Sequence, residues 1–133
     1  MRCPTGVVGR KVRFTYSIEG PHHIELLEQI DPTPYLSLTG GRHIHHLGYF
    51  ARDLAKAAEW LNTHGFVMEL NGVTDAGAIS RATFHRSPLS PGIWVELVDQ
   101  DLADWIAQWL SEAATEQGIP FKSPFVWDQP EGG

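Results

Sequence analysis

The segment HHLGYFARDLAKAAEWLNTHGF, residues 45–66, begins as a strand and continues as a helix. Its first residues are apolar and aromatic, as is typical of a strand, and Asp53 then stands at a position suited to a helix N-cap. The apolar residues that follow recur at the spacing of one buried helical face, and they are Leu54, Ala57, Ala58 and Leu61. We therefore expect a strand followed directly by a helix.

Three more strands are predicted after this helix. They are FVMEL (66–70), RATFHR (81–86) and GIWVELVD (92–99), which are rich in β-branched and aromatic residues. Glycines and prolines that favour turns separate them. Together with the first strand and the helix, they predict a βαβββ module over residues 43–99.

The flanking segments predict fewer elements. Residues 11–35 contain two strand-like segments around a Gly-Pro turn, which predicts an antiparallel hairpin. Residues 101–118 have apolar side chains at helical spacing, which predicts a C-terminal helix. No regular structure is predicted for residues 119–133. We expect a single α+β domain over residues 1–133.

The composition excludes several classes of protein. The chain has 133 residues, a formal charge of −6, 42% hydrophobic and 20% charged residues, so it can bury a core. The single cysteine, Cys3, excludes a disulfide framework. The Lys and Arg residues are scattered, which argues against nucleic acid, and no apolar stretch suits a membrane span or a secretory signal. We therefore expect a cytoplasmic protein with a small-molecule ligand.

Two glutamates stand in the middle of predicted strands. Because side chains alternate faces along a strand, Glu96 shares a face with Trp94, and Glu25 shares a face with His23. A carboxylate in such an apolar frame is costly unless it is paired, hydrogen-bonded or bound to a cation. A glutamate in mid-strand also commonly lies on a solvated face. Both acids are therefore candidate ligands, with surface positions as the alternative.

Histidine supplies a third candidate ligand. His46 lies on the first strand of the module, and one imidazole with two carboxylates from separate strands suits a divalent metal such as Zn, Ni, Co, Mn or Fe(II). His85 alternates with Arg81 and Thr83 and is expected either to face the same concavity or to lie exposed on an edge strand. The residues expected to line a pocket beside the metal are His23, Phe50, Trp94 and His85.

Residues 45–66, followed by the strand at 92–99, resemble a module of the vicinal oxygen chelate superfamily. That group includes glyoxalase I, methylmalonyl-CoA epimerase, extradiol dioxygenases and bleomycin-resistance proteins. In this family two βαβββ modules form a cup around a metal. The resemblance implies metal ligands at His46 on the first strand of the module, at Glu96 on its fourth strand, and at Glu25 on the fourth strand of a preceding module.

The resemblance leaves the preceding module incomplete. A family chain would normally carry a strand and a helix ahead of Lys11, and the fourth metal ligand would lie on that missing strand. Either the protein starts upstream, or another chain completes the cup. Because an open two-stranded sheet leaves unpaired edges and an uncovered apolar face, we expect a homodimer.

Two hypotheses of function follow. The first is a metal-dependent lyase or isomerase of the glyoxalase or epimerase type, in which the ion polarises a carbonyl and Glu96 or Glu25 removes the adjacent proton. The second is a non-catalytic protein of the bleomycin-resistance type that binds a drug or metabolite without metal. A ring-cleaving dioxygenase is less favoured, because it would use two histidines and one carboxylate. An inactive assembly subunit is a third possibility. Ligating side chains at all three positions favour the enzyme.

Overall fold

The computed structural model describes residues 1–3, 6–7, 12–19, 22–29, 44–89 and 92–121. The predicted irregular tail beyond residue 121 lies outside these residues. Within them the strands are β1 (Arg2–Cys3), β2 (Gly6–Val7), β3 (Val12–Tyr16), β4 (Glu25–Gln29), β5 (His46–Phe50), β6 (Val67–Val73), β7 (Ile79–Arg86) and β8 (Trp94–Val98). The helices are α1 (Leu54–Thr63) and α2 (Gln100–Gln117). Neither of these two described helices is long and apolar enough to cross a membrane.

Six strands form one sheet in the order β2-β1-β6-β7-β8-β5, and β3 pairs with β4 in a separate sheet. Strands β5 and β8 run parallel, whereas the other neighbours pair antiparallel. The chain from β5 through α1 to β8 therefore follows the predicted βαβββ order, with its first and last strands side by side. The α+β class, the hairpin and the C-terminal helix are confirmed.

Helix α1 covers one face of the large sheet. Its N-cap is Asp53, whose side chain accepts a hydrogen bond from the Lys56 backbone N–H at 3.1 Å. The buried core on this face is formed mainly by side chains of α1 and by Leu97 of β8. Its members are Ala51, Leu54, Ala58, Leu61 and Leu97. Because Leu97 faces the helix, the neighbouring Glu96 projects from the opposite face.

A second core lies on that opposite face. Its buried residues come from β1, β6 and β7, and they are Cys3, Leu70, Ala82 and Phe84. Trp94 packs against this cluster. Phe84 lies directly opposite Glu96 in the β7–β8 pairing, so Glu96 projects from the face that this apolar cluster covers.

Helix α2 packs against the hairpin through aromatic contacts. Phe14 and Tyr16 of β3 approach Trp109 edge to face, with ring centroids 6.1 and 6.2 Å apart, and Phe14 also contacts Trp105 at 6.3 Å. Each such pair contributes about 1 kcal/mol beyond its buried area. Because Tyr16 pairs directly with Glu25, these contacts also set the position of Glu25.

Candidate metal centre

Three side chains from three different strands converge on one point. His46 Nε2 lies 2.9 Å from Glu25 Oε2 and 3.2 Å from Glu96 Oε2. One ligand atom from each residue lies within 4.8 Å of the other two. The side chain of His46 is 9% exposed, and those of Glu25 and Glu96 are 16% and 14% exposed. The structure thus brings together the three residues that the sequence selected, in a place partly withdrawn from water.

Strand alternation turns Glu25 inward. Along β4 and the residue pair before it, His23, Glu25 and Leu27 are partly buried, whereas Ile24 and Leu26 are 65% and 64% exposed. This is the period of two that a half-buried strand requires. The inner face of the hairpin therefore presents a carboxylate to the large sheet.

The parallel pairing of β5 with β8 positions the other two side chains. His46 lies opposite Trp94, and Gly48 lies opposite Glu96. Paired residues share a face, and so do residues two apart along a strand, so His46 and Glu96 project on the same side of the sheet. A Cβ built on Gly48 would lie 3.4 Å from Glu96 Oε2. A side chain larger than a methyl group there would displace the carboxylate.

The two acids hold a proton on the imidazole. Burial favours the neutral ring, but hydrogen bonds to Glu25 and Glu96 and the charges of these acids outweigh burial and raise the pKa of His46 to about 9. At neutral pH the ring is therefore an imidazolium between two carboxylates. A divalent cation that binds Nε2 has to displace this proton, because a metal ligand uses the neutral ring.

Tyr16 is a site residue that the sequence reasoning missed. It lies directly opposite Glu25 in the hairpin, and its side chain hydrogen-bonds the Glu25 carboxylate. Burial, and then the charges of Glu25 and Glu96, raise the pKa of Tyr16 well above its usual range, so its hydroxyl remains a neutral donor. The alternation in KVRFTY, combined with the hairpin, was the signal that would have placed Tyr16 beside Glu25.

Aromatic rings border the centre. The edge of Phe84 approaches the His46 ring with centroids 5.7 Å apart, and Phe84 contacts Trp94 at 6.2 Å. Trp94 lies opposite His46 in the sheet, and the half-buried Phe50 lies two residues beyond Gly48 on the same face of β5. The expected pocket residues Trp94 and Phe50 thus lie on the side of the sheet that carries the site.

His23 also lies on the inner face of the hairpin. Its Nδ1 is 2.7 Å from the Ser17 carbonyl oxygen, and its ring centroid is 6.2 Å from that of Phe121. His23 and Glu25 are both partly buried while Ile24 between them is exposed, so His23 lies on the same side of the hairpin as Glu25, as predicted.

The expectation that His85 faces the concavity is wrong, and so is the alternative of an exposed edge position. His85 pairs with Val95, on the face that α1 covers, and it is 0% exposed. Its Nε2 is 2.9 Å from the Thr83 hydroxyl oxygen, and burial lowers the pKa of His85 to about 4. Alternation correctly grouped His85 with Thr83. The pairing with β8 then turns that face toward the helix, away from Glu96.

The donor set fits a divalent metal. One imidazole nitrogen and two carboxylate oxygens are ligands that Zn, Ni, Co, Mn and Fe(II) accept, and three protein ligands leave positions for other oxygen donors. The three atoms already lie within 4.8 Å of one another, so a small movement of the carboxylates would bring all three to a shared ion.

One of three comparisons with known proteins agrees with this architecture. Neither the curated proteins nor the solved structures gave a significant match to the chain. A family model described as the glyoxalase/bleomycin resistance protein/dioxygenase superfamily matches residues 5–84. The matched segment includes Glu25 and His46, and Glu96 follows it on β8. Since this match covers more than half of the chain, the protein belongs to the glyoxalase/bleomycin resistance protein/dioxygenase superfamily.

Proposed function

We propose that this protein is a metal-dependent enzyme of the glyoxalase or epimerase type, with Glu25, His46 and Glu96 as its metal ligands. The observation that carries the proposal is the convergence of one imidazole nitrogen and two carboxylate oxygens within 4.8 Å. A protein that only sequesters an organic ligand has no need for three ligating side chains at one point. Their presence therefore favours metal-dependent chemistry.

The residues of the centre suit proton transfer next to a carbonyl group. A bound divalent ion would supply Lewis acidity that polarises the substrate carbonyl. Glu25 and Glu96 are the candidate bases, because either carboxylate can accept a proton from the adjacent carbon. The Tyr16 hydroxyl donates to Glu25 and so orients that carboxylate. The proposed substrate is a small molecule that carries an acidic C–H beside a carbonyl.

Metal analysis of purified protein tests this proposal. Protein prepared without chelator should contain one divalent ion per chain, and Glu25→Ala and Glu96→Ala should each lose it. Glu28→Ala is the matched control, because Glu28 lies on the same hairpin with its side chain 57% exposed and paired with Arg13. Wild-type protein that neither contains nor takes up a divalent metal would overturn the proposal.

The alternative is a non-catalytic binding protein of the bleomycin-resistance type. The rings of Trp94 and Tyr16 beside the two acids favour it, since aromatic faces and carboxylates bind aromatic or cationic ligands without any metal. Metal-free protein that binds such a ligand as tightly as the metal-treated protein would support this second function.

We also propose that the protein acts as a homodimer. Leu26 of β4 is 64% exposed, and Ile24, which directly precedes the strand, is 65% exposed on the same outer face of the hairpin. Apolar side chains that are exposed together on one face of a sheet are commonly covered by a partner. A second copy of the chain would cover this face.

A further inference from the structure

We infer that His45 is a positioning residue of the metal centre, which accepts a hydrogen bond from His46 Nδ1 and thereby directs His46 Nε2 toward Glu25 and Glu96. This inference rests on the proposed function, because it concerns the same ligand set. It assigns a role to a histidine that neither the strand alternation nor the family resemblance selected.

The contact between the two rings is specific. His45 Nδ1 lies 2.9 Å from His46 Nδ1, and the rings are nearly perpendicular, at 89°, with centroids 5.2 Å apart. Two imidazole nitrogens at this distance form a hydrogen bond only if one carries the proton and the other offers a lone pair. The contact therefore couples the protonation pattern of one ring to that of the other.

Metal ligation decides which ring donates. When His46 binds a cation through Nε2, the lone pair of Nε2 is used there, and the remaining ring proton lies on Nδ1. His45 Nδ1 is then the acceptor. The hydrogen bond holds the tautomer and the ring orientation that ligation requires, and it increases the electron density at Nε2.

His45 is itself held in place by the strand that carries Glu96. Its ring stacks on Trp94 with centroids 6.0 Å apart and an interplanar angle of 20°. Its carbonyl oxygen accepts a hydrogen bond from the Trp94 backbone N–H at 3.1 Å. Trp94 packs against the core cluster that includes Phe84. The acceptor is therefore rigid relative to both His46 and Glu96.

Two substitutions separate the hydrogen bond from the stacking. His45→Phe keeps a ring on Trp94 but removes the acceptor, whereas His45→Asn supplies an oxygen near the position of Nδ1 and removes the ring. We expect His45→Phe to weaken Zn²⁺ binding roughly 10- to 100-fold, as loss of such outer partners commonly does. His45→Asn should stay within a few-fold of wild type. Affinity is measured by competition with a chromogenic chelator.

The control and a second readout exclude a purely structural role. His64→Phe is the control, because His64 also stacks on a tryptophan, Trp60, but lies at the exposed end of α1. In ¹⁵N-labelled, Zn²⁺-loaded protein, scalar coupling across the hydrogen bond should link the two Nδ1 nuclei of His45 and His46. This coupling should vanish in His45→Phe while urea unfolding stays close to that of wild type.

The outcomes are distinct. Wild-type protein that binds no divalent metal overturns the proposed function. Wild-type protein that binds Zn²⁺, together with a His45→Phe variant of unchanged affinity, overturns the role of His45 alone. Absence of the ¹⁵N coupling in the loaded wild-type protein overturns it as well. Weaker binding in His45→Phe with rescue in His45→Asn supports it.

Discussion

Raising the pH should destabilise the metal-free protein, because His46 holds a proton between Glu25 and Glu96 in the folded state. The pKa of His46 is raised from 6.5 to about 9 in the fold. Below pH 6.5 both the folded and the unfolded chain carry this proton, and the stabilisation is fully present. Between these two values the folded chain binds more protons than the unfolded chain, so the free energy of unfolding falls as pH rises.

The size of the effect follows from the two pKa values. Each pKa unit corresponds to about 1.4 kcal/mol, and a rise from 6.5 to about 9 therefore corresponds to roughly 3 kcal/mol. The low exposure of the three side chains, between 9% and 16%, leaves little water to screen the interaction. A loss of this size is a large part of the stability of an ordinary small domain, which is roughly 5 to 15 kcal/mol.

Urea denaturation in the presence of a chelator measures this loss. Tryptophan fluorescence is a suitable signal, since the chain has five tryptophans. The free energy of unfolding should decrease steadily between pH 6.5 and about 9 in the wild type. His46→Gln should lose this slope, because it has no proton to release. His64→Gln, at the exposed end of α1, should keep it.

A wild-type free energy of unfolding that stays constant or rises over this interval would refute the reasoning. It would mean that the two carboxylates do not hold the imidazolium in the folded state. A slope that persists in His46→Gln would assign the effect to another group.

Three further predictions concern other parts of the molecule. Burial lowers the pKa of His85 to about 4, so the stability that its neutral ring contributes above pH 6.5 should be lost as the pH falls toward 4. In the same urea assay, the free energy of unfolding of His85→Gln should therefore fall less steeply over this acidic range. Gly72→Ala would place a Cβ against the backbone carbonyl oxygen of Ser80 on β7 and should lower the free energy of unfolding by about 3 kcal/mol. In the control Gly92→Ala, the added Cβ meets no atom within 4 Å, and the loss should be much smaller. Leu26→Asp puts a charge on the exposed face of β4 and should convert a homodimer to monomers in light scattering; wild-type protein that is monomeric at high concentration would contradict the proposed assembly.

Much of the fold was predictable because its signals are local. The N-cap at Asp53 and the helical spacing of Leu54, Ala58 and Leu61 each depend on residues within a few positions of one another, and the structure confirms them. The alternation that places Glu25 and His23 on the same face of the hairpin is equally local. Such patterns do not depend on how the chain packs later.

His85 shows where local reasoning stops. Alternation assigned His85 and Thr83 to one face of β7, and they do share a face. Which face meets the helix depends on the pairing of β7 with β8, and this pairing sets His85 beside Val95 under α1. The hairpin pattern was a signal for Tyr16 beside Glu25. The role of His45 depends on the distance between two rings, and a single sequence does not contain that distance.

Composition and periodicity alone predict an α+β protein whose strands carry two acids and an imidazole as candidate ligands, without deciding whether these side chains point inward. Tertiary packing decided that these positions meet. The parallel pairing of β5 with β8 sets His46 next to Glu96, and the aromatic contacts of Phe14 and Tyr16 with α2 bring Glu25 to the same point. The physical reason is that side-chain direction follows from neighbouring residues, whereas the distance between strands far apart in sequence follows from the packing of the whole core.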